Sequence, residues 1–378
     1  MKILVLPSWY PPNGGRFFKL QSESLVKLGH TVDVLILEEK GITKKRNFKI
    51  ENKKSILTNE IRHNFYRIPK MNNLNIELFI SKYKKLLNKY LANNKPDIIH
   101  VHSSIWAGVV VSEIAREKNI PYVITEHRGL FLKDKLPYNE DLILKIKKAL
   151  DFAVEVLVVS SAVKQKIKKY TSNSITILPN MVDVNFFKPI KKKKKASKIS
   201  LVSVGNLNKV KGFDLLIKAF ANIVATNKNV ELKIIGIGEE LSNLQDISVS
   251  LKIDNFIEFS GYKTKKELLE VYQNADIFIS SSRFESFGVV LIEALSCGLP
   301  IVATNSGGPA DIVKKENGFL AENKNANSLQ TKIQLMIDNL SNFDASIIRL
   351  NTIANYSEEV ISRKLEKHLL ECLQHKKQ

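Results

Sequence analysis

Ser281-Ser282-Arg283-Phe284-Glu285-Ser286-Phe287-Gly288-Val289-Val290-Leu291-Ile292-Glu293-Ala294 follows the short apolar run Ile277 to Ile279 and leads into a helical pattern. It reads as a strand that ends in Ser-Ser-Arg, turns at Glu-Ser-Phe-Gly and opens a helix. The amides of about Phe287 to Val289 then lack intrahelical partners. Together with the positive end of the helix dipole they favour an anion, most simply a phosphate. Glu285 sits in the turn and Glu293 about two turns into the helix, so one carboxylate precedes the anion seat and the other lies beside it. Carboxylates flanking a phosphate seat suit hydroxyl groups, not more phosphate. Sugar hydroxyls, a diphosphate and ribose hydroxyls, the layout of a nucleotide sugar, fit that order. The plain alternative is an amphipathic helix with a capping serine and two solvated acids, and the rest of the chain decides between the two.

A chain of 378 residues exceeds one ordinary core and is read as two domains of roughly 150 to 200 residues. No apolar run approaches the roughly 18 residues of a membrane-spanning helix. Met1 to Leu6 is apolar, but Pro7, Trp9, Pro11 and Pro12 stop it short of a signal-peptide core, so it reads as a first buried strand of a cytoplasmic protein. Cys297 and Cys372 lie on separate predicted helices without metal-ligand or redox spacing. Net charge is +20, unevenly spread: residues 1–190 hold 32 basic against 17 acidic side chains, Lys191 to Lys195 add five, and residues 196–378 hold 21 of each. A basic half joined to a neutral one suggests that only the first half faces a polyanion, either an anionic membrane leaflet or nucleic acid.

In chain order, Lys2 to Leu6 is a strand, Pro11-Pro12-Asn13-Gly14-Gly15 a loop, Phe17 to Leu28 a helix and Thr31 to Leu37 a second strand. Gly14 and Gly15 let the backbone approach a ligand at a strand's carboxyl end. Lys40 to Lys54 is polar and basic. Ile76 to Leu91 sets Phe79, Tyr83, Leu86, Leu87 and Tyr90 at helical spacing beside Lys82, Lys84, Lys85 and Lys89, an amphipathic basic helix suited to membrane docking or to packing on the sheet. Strands Asp97 to Val101 and Pro121 to Thr125 flank a helix expected over Trp106 to Lys118, and Glu126-His127-Arg128-Gly129 follows the second strand. His100 and His102 are expected to pack or to line the crevice. The lysine run Lys191 to Lys195 repels itself and reads as an exposed linker. Strand Ile199 to Val204 leads to Gly205-Asn206-Leu207-Asn208-Lys209-Val210-Lys211-Gly212 and a helix. Gly236-Ile237-Gly238 does not extend to the dinucleotide fingerprint, because Leu241 stands where its third glycine belongs.

The Glu285 to Glu293 spacing with Ser-Phe-Gly inside it, the continuation Cys297-Gly298-Leu299-Pro300-Ile301-Val302-Ala303-Thr304 and the Gly307-Gly308 turn together resemble the retaining glycosyltransferases of family 4. The resemblance extends over nearly the whole chain and is stronger in residues 199–320 than in 1–188. It implies an α/β protein of GT-B architecture, two Rossmann-like domains with parallel sheets facing a central cleft. Residues 1–190 would bind the acceptor, 191–198 form a basic linker and 199–356 bind the donor, while the final helix, 357–374, packs back on the first domain. It implies that Gly14 and Gly15 face the donor diphosphate and the acceptor, that His127 contacts the transferred sugar and that Lys211 neutralises the diphosphate. Asn206 departs from the family, which commonly has Arg there as a second cation; phosphate neutralisation then depends on Lys211, helix amides and either Arg283 or a basic residue of the first domain. The implied catalytic set is His127, Glu285 and Lys211. The implied donor-binding set is Gly14, Gly15, Asn206, Lys211, Glu285, Ser286, Phe287, Gly288, Val289 and Glu293.

The expected reaction moves a sugar from a UDP- or GDP-sugar to a glycan or lipid-linked acceptor, with retention of configuration, at the inner membrane face. No cofactor is expected. No Asp-X-Asp occurs in the chain, so no metal is expected to hold the diphosphate. A soluble acceptor or a sugar-nucleotide epimerase is the alternative within the same architecture. Nucleic-acid binding is the alternative from another class, and no groove-entering element or base-stacking surface supports it.

Overall fold

The computed structural model describes residues 1–378 except 12–13, 41–50, 55–56, 191–197 and 376–378. The lysine run Lys191 to Lys195, the Pro12-Asn13 part of the first loop and most of the basic segment Lys40 to Lys54 lie outside the described residues. The chain divides into two compact units, Met1–Pro179 with Ile361–Gln378, and Asn180–Val360.

The first unit carries β1 (Lys2–Pro7), β2 (Thr31–Lys40), β3 (Glu51–Lys54), β4 (Asn59–Tyr66), β5 (Ile98–His102), β6 (Tyr122–Glu126), β7 (Glu155–Val158) and β8 (Ile175–Ile177), in the order β3-β4-β2-β1-β5-β6-β7-β8. All neighbours run parallel except β3 on β4. Ile3, Leu4, Val5 and Leu6 are all fully buried. Since successive side chains point to opposite faces, the sheet is covered on both. Its helices are α1 (Arg16–Lys27), α2 (Asn72–Asn93), α3 (Val109–Glu117), α4 (Glu140–Asp151) and α5 (Ser161–Ile167).

The second unit carries β9 (Ile199–Val204), β10 (Val230–Ile235), β11 (Ile257–Phe259), β12 (Ile277–Ser280), β13 (Ile301–Thr304) and β14 (Gly318–Ala321), all parallel, in the order β11-β10-β9-β12-β13-β14. This is the Rossmann order, with the winding reversed between β9 and β12. Its helices are α6 (Phe213–Thr226), α7 (Leu241–Ser250), α8 (Lys265–Asn274), α9 (Val289–Ser296), α10 (Pro309–Ile312), α11 (Ala326–Asp338) and α12 (Ala345–Tyr356), followed by α13 (Glu358–His375). In α6, Leu216, Ile217, Phe220, Ile223 and Val224 recur at helical spacing and are all buried in the core with Leu201, Leu232 and Ile279.

Two expectations change on contact with the fold. The helix expected over Trp106 to Lys118 begins only at Val109: Ser104–Gly108 is an irregular turn in which Trp106 has φ +71°. The Ser8 hydroxyl donates to the Ile105 carbonyl (2.6 Å) and accepts from the Ala107 amide (3.2 Å), bonds that a regular helix would forfeit. In α2 the aromatic residues face the core and not a membrane. Phe79, Tyr83 and Tyr90 are buried, the Tyr83 hydroxyl donates to the Leu35 carbonyl (2.6 Å), and Phe79 meets Phe65 edge-on. Lys82 donates to the Asn64 carbonyl and Lys84 pairs with Glu113.

The last helix is tied to the first unit by two histidine–carboxylate contacts, His30 Nε2 to Glu366 (2.7 Å) and His368 Nδ1 to Glu155 (3.1 Å), beside the buried Leu365, Leu369 and Cys372. The hydrogen bond to Glu155 lifts the His368 pKa above the ordinary 6.5. A raised histidine contributes stability that is complete below the unfolded value and is lost as pH rises through the folded one. The contribution is modest, below about 1 kcal/mol, because the pair is partly solvated. Amide hydrogen exchange over 361–375, corrected for intrinsic rates, should therefore speed up as pH rises above the ordinary histidine value of 6.5, and do so less in His368→Gln. The same pH dependence in both proteins would contradict this.

Candidate active site

Open α/β sheets bind ligands beyond the carboxyl ends of their strands where the winding reverses. In the second unit that point lies between β9 and β12. The loops leaving these strands are joined by hydrogen bonds: the Arg283 amide donates to the Val210 carbonyl (2.7 Å) and the Ser281 hydroxyl to the Lys211 carbonyl (3.0 Å). The Arg283 guanidinium donates to the Lys209 carbonyl (2.7 Å) and forks onto Asp214 in the first turn of α6 (2.8 and 2.7 Å). Burial alone would raise the Asp214 carboxyl, but the Arg283 fork prevails and holds it below the usual carboxylate range. Arg283, considered above as a phosphate cation, is thus committed to Asp214. Gly212, with φ +63°, completes the junction: a Cβ there would lie 2.2 Å from the Ser281 carbonyl oxygen.

Lys211 ends a turn of 3-10 helix, Lys209–Lys211, capped by the Asn208 side chain, which accepts from the Lys211 amide (3.2 Å). Its Nζ is 2.5 Å from Glu285 Oε2, and both side chains are partly buried. The Glu285 backbone is fixed on both sides: its amide donates to the Ser306 carbonyl (3.0 Å) and its carbonyl accepts from the Gly308 amide (2.7 Å). A Cβ on Gly308 would sit 2.4 Å from the Phe287 Cα. Gly288, at φ +101°, starts α9, so the first amides of that helix open beside the Lys211–Glu285 pair. Phe287 is buried edge-on to Tyr356 (6.0 Å), while Ser286 and Val289 are half-buried. Glu293, inside α9, accepts from the Tyr272 hydroxyl (3.1 Å). Burial, and then the Glu293 charge, push the Tyr272 phenol far above its ordinary value, so it stays a neutral donor. Asn206 is exposed on the loop after β9.

In the first unit the reversal lies between β1 and β5. Gly15, with φ +71°, caps α1, and Gly14 lies against the Trp9 ring. His127 follows β6, and its Nε2 is 3.2 Å from His102 Nδ1 at the end of β5. Phe18 of α1 stacks on His102 (4.2 Å, 17°) and meets His127 edge-on (4.7 Å). His100 Nε2 contacts the Thr125 hydroxyl (2.8 Å), and burial drives the His100 pKa down to about 3. Beneath them, the fully buried Glu126 carboxylate accepts from the Ser104 amide (2.8 Å) and hydroxyl (2.5 Å), the Ser103 hydroxyl (3.3 Å), and the amides of His127 (2.9 Å) and Arg128 (2.8 Å). The Arg128 guanidinium lies over Trp9.

The structure brings Lys211, Glu285, Ser286, Phe287, Gly288 and Val289 to one place in the second unit, with Glu293 on the same helix. It brings His127 to the strand ends of the first unit, where Gly14 and Gly15 cap α1. Sequence reading overlooked Asp214, Tyr272 and the carboxylate of Glu126. Asp214 carried a signal, an acid at the second position of a helix that follows Lys211-Gly212. Tyr272 carried none, since its meeting with Glu293 depends on the packing of α8 against α9. Among the described residues, no group of three His, Cys, Asp or Glu side chains is arranged to hold a metal ion.

Residues 14–186 match the family described as Glycosyltransferase Family 4, and residues 185–349 match the one described as Glycosyl transferases group 1. The chain is 26% identical over 339 residues to the GPI3 subunit of phosphatidylinositol N-acetylglucosaminyltransferase from Saccharomyces cerevisiae, covering 85% of this chain and 71% of that one. Among solved structures it is similar to sucrose-phosphate synthase from Thermosynechococcus elongatus (TM-score 0.84, 20% identity, 99% and 100% of the two chains). It is also similar to Anabaena HepE in complex with UDP (TM-score 0.74, 18% identity, 98% and 100%). With two α/β units of parallel strands, the Glu285 to Glu293 segment at the switch point and family matches that run from residue 14 to 349, the chain belongs to glycosyltransferase family 4 and has the GT-B fold.

Proposed function

We propose that this glycosyltransferase takes its sugar from a UDP- or GDP-sugar and moves it, with retention and without a metal, to a glycan or lipid-linked acceptor in cell-surface polysaccharide synthesis. The observation that carries the reading is the Lys211 ammonium at the start of α9, held at 2.5 Å by Glu285. An ammonium and an open helix terminus together make a seat for a diphosphate. Lys211 has three donors and can keep Glu285 while turning to a phosphate oxygen. In this reading Glu285 takes sugar hydroxyls, Glu293 takes ribose, His127 touches the transferred sugar and the first unit recognises the acceptor. HepE, of the same fold, is described in complex with UDP, which favours a uridine nucleotide. Catalysis would then consist of positioning and of stabilising the departing diphosphate, with a donor phosphate oxygen helping to deprotonate the acceptor. Losing a charge-assisted hydrogen bond costs about 1.5–3 kcal/mol, roughly tenfold to a hundredfold in affinity. Calorimetry should find that loss for UDP with Lys211→Ala while uridine binding is unchanged, and for both ligands with Glu293→Ala. Equal losses for UDP and uridine in Lys211→Ala, or an unchanged affinity in Glu293→Ala, would refute these assignments.

The acceptor side of the reading includes an anionic membrane surface. No helix among the described residues is long and apolar enough to cross a membrane. With its aromatics turned inward, α2 leaves one exposed stripe at i, i+3 and i+7 spacing: Met71 (47% exposed), Leu74 (37%) and Leu78 (41%), continued by the exposed Lys85 and Lys89. Apolar residues next to lysines on one side of a helix suit an interface with anionic lipid, each lysine contributing about 1 kcal/mol. The protein should sediment with phosphatidylserine vesicles at low salt and be released at high salt. The triple change Leu78→Glu, Lys85→Glu and Lys89→Glu should abolish this while donor hydrolysis continues. Wild-type protein that ignores such vesicles would favour a soluble acceptor.

A further inference from the structure

The first unit carries a cation at its strand ends that the reaction proposed above does not use. We infer that Arg128 is the anion-recognising residue of an acceptor subsite: its guanidinium takes an oxyanion, a carboxylate or a phosphate, borne by the acceptor sugar, while Trp9, Trp106 and Tyr138 offer apolar faces to the sugar ring. The inference deepens the reading that the first unit recognises the acceptor, and it rests on that reading.

Three loops build the subsite. Trp9 follows β1, Ser103 and Trp106 follow β5 and Arg128 follows β6, so all four stand beyond the carboxyl ends of strands around the reversal between β1 and β5, where an open sheet takes its ligand. Ser103 is buried, whereas Trp9, Trp106, Arg128 and Tyr138 are partly exposed. The guanidinium carbon of Arg128 lies 4.7 Å from the centre of the Trp9 ring. Its Nε donates to the Ser103 hydroxyl (3.1 Å), which donates in turn to Glu126 (3.3 Å). The stack and that bond fix the guanidinium plane, and the terminal nitrogens keep their N–H groups without a partner among the described residues. Trp106 and Tyr138 meet edge-on (5.7 Å), and Tyr138 lies near enough to Arg128 for its phenol to feel the charge.

The electrostatics favour an anion. Arg62 and Arg283 are each neutralised by a carboxylate, Glu60 and Asp214. Arg128 makes no ion pair among the described residues. Glu126 reaches it only through space, because the Glu126 oxygens are taken by Ser103, Ser104 and the amides of His127 and Arg128. Burial accordingly lowers the Arg128 pKa, and the charges of Glu126 and Tyr138 offset this only in part. A guanidinium keeps its proton in a protein, so Arg128 stays a partly desolvated cation with parallel donors to spare. A carboxylate or phosphate that engages two of them would supply the missing counter-charge in the geometry the fork prefers. Aromatic faces around a few fixed polar donors are also how small-molecule sites are commonly built. Ser103 (φ +78°) and Trp106 (φ +71°) are strained, and such strain gathers at ligand clamps. The basic excess of the first half of the chain suits an acidic acceptor as well.

Both tryptophans of the chain, Trp9 and Trp106, line this subsite, so intrinsic fluorescence of the full chain reports on it without a transfer assay. Methyl glucuronide carries a carboxylate, glucose 1-phosphate a phosphate and methyl glucoside neither; titrating each separately tells the two oxyanions apart. At least one of the anionic sugars should change the emission at a concentration about tenfold or more below the neutral one. Arg128→Gln should erase that preference, a loss on the order of tenfold to a hundredfold, and Arg128→Lys, which keeps the charge but not the fork, should retain part of it. The affinity for UDP, measured by calorimetry, should be the same in Arg128→Gln as in the wild type. Equal responses to neutral and anionic sugars in the wild type, or a preference that survives Arg128→Gln, overturn the inference. A matching loss of UDP affinity also overturns it and assigns Arg128 to the donor. If Arg128→Gln does not fold, the wild-type comparison and Arg128→Lys still decide. Emission that responds to all three sugars alike removes the anion and leaves the acceptor reading standing, whereas emission that responds to none removes both.

Discussion

At the switch point of the second unit, main chain passes main chain so closely that no side-chain carbon fits between. A Cβ on Gly212 would be 2.2 Å from the Ser281 carbonyl oxygen, and one on Gly308 would be 2.4 Å from the Phe287 Cα. The first contact locks the loop after β9 to the loop after β12. The second locks the turn after β13 to the segment that carries Glu285. Lys211 and Glu285 are 74 residues apart and meet because these junctions leave their loops nowhere else to go. The Arg283–Asp214 fork has the same origin: it pins α6 to the loop after β12 and leaves Lys211 as the cation at the head of α9.

The electrostatic consequence concerns the fate of the Lys211–Glu285 pair. Opposite unit charges about 4 Å apart attract by about 4 kcal/mol at an effective dielectric of about 20, and desolvation offsets part of that. A single carboxylate therefore holds the ammonium firmly but not irreversibly. In the proposed reading a diphosphate would bring more charge and would also meet the open amides at the start of α9. The same pair can accordingly both preorganise the seat and yield to a ligand. In the first unit the ordering force is the buried Glu126 carboxylate. Ser103 (φ +78°) and Trp106 (φ +71°) stand in backbone regions that disfavour side chains, at about 1–3 kcal/mol each. The hydrogen bonds that Glu126 accepts from Ser103 and Ser104 hold that turn open, and those from the His127 and Arg128 amides fix the other wall. The strain lies at the end of β5, next to His102.

Much of this was legible in the chain because local rules coincide with global ones. Strand Ile199–Val204 occurs where its apolar run places it, and α9 starts at the glycine that ends the Glu-Ser-Phe-Gly turn. What the sequence hid are relations between distant elements. The periodicity of α2 was visible, but not that Phe79, Tyr83 and Tyr90 form the face that packs inward, since an aromatic stripe suits a core as well as a membrane. The helix expected from Trp106 starts late because Ser8, nearly a hundred residues away, bonds to both Ile105 and Ala107. Arg283 read as a candidate phosphate ligand because nothing in its own segment points to Asp214. Charge and spacing reveal which residues can act, whereas strand order decides which of them meet.

The central claim is that the head of α9, with Lys211, seats the diphosphate of the donor. A crystal structure of the protein with a nucleoside diphosphate bound tests this most directly. The account predicts phosphate oxygens within hydrogen-bond reach of Lys211 Nζ and of the amides at Gly288 and Val289, with the ribose beside Glu293. A diphosphate bound elsewhere, with Lys211 turned only to Glu285, would contradict it.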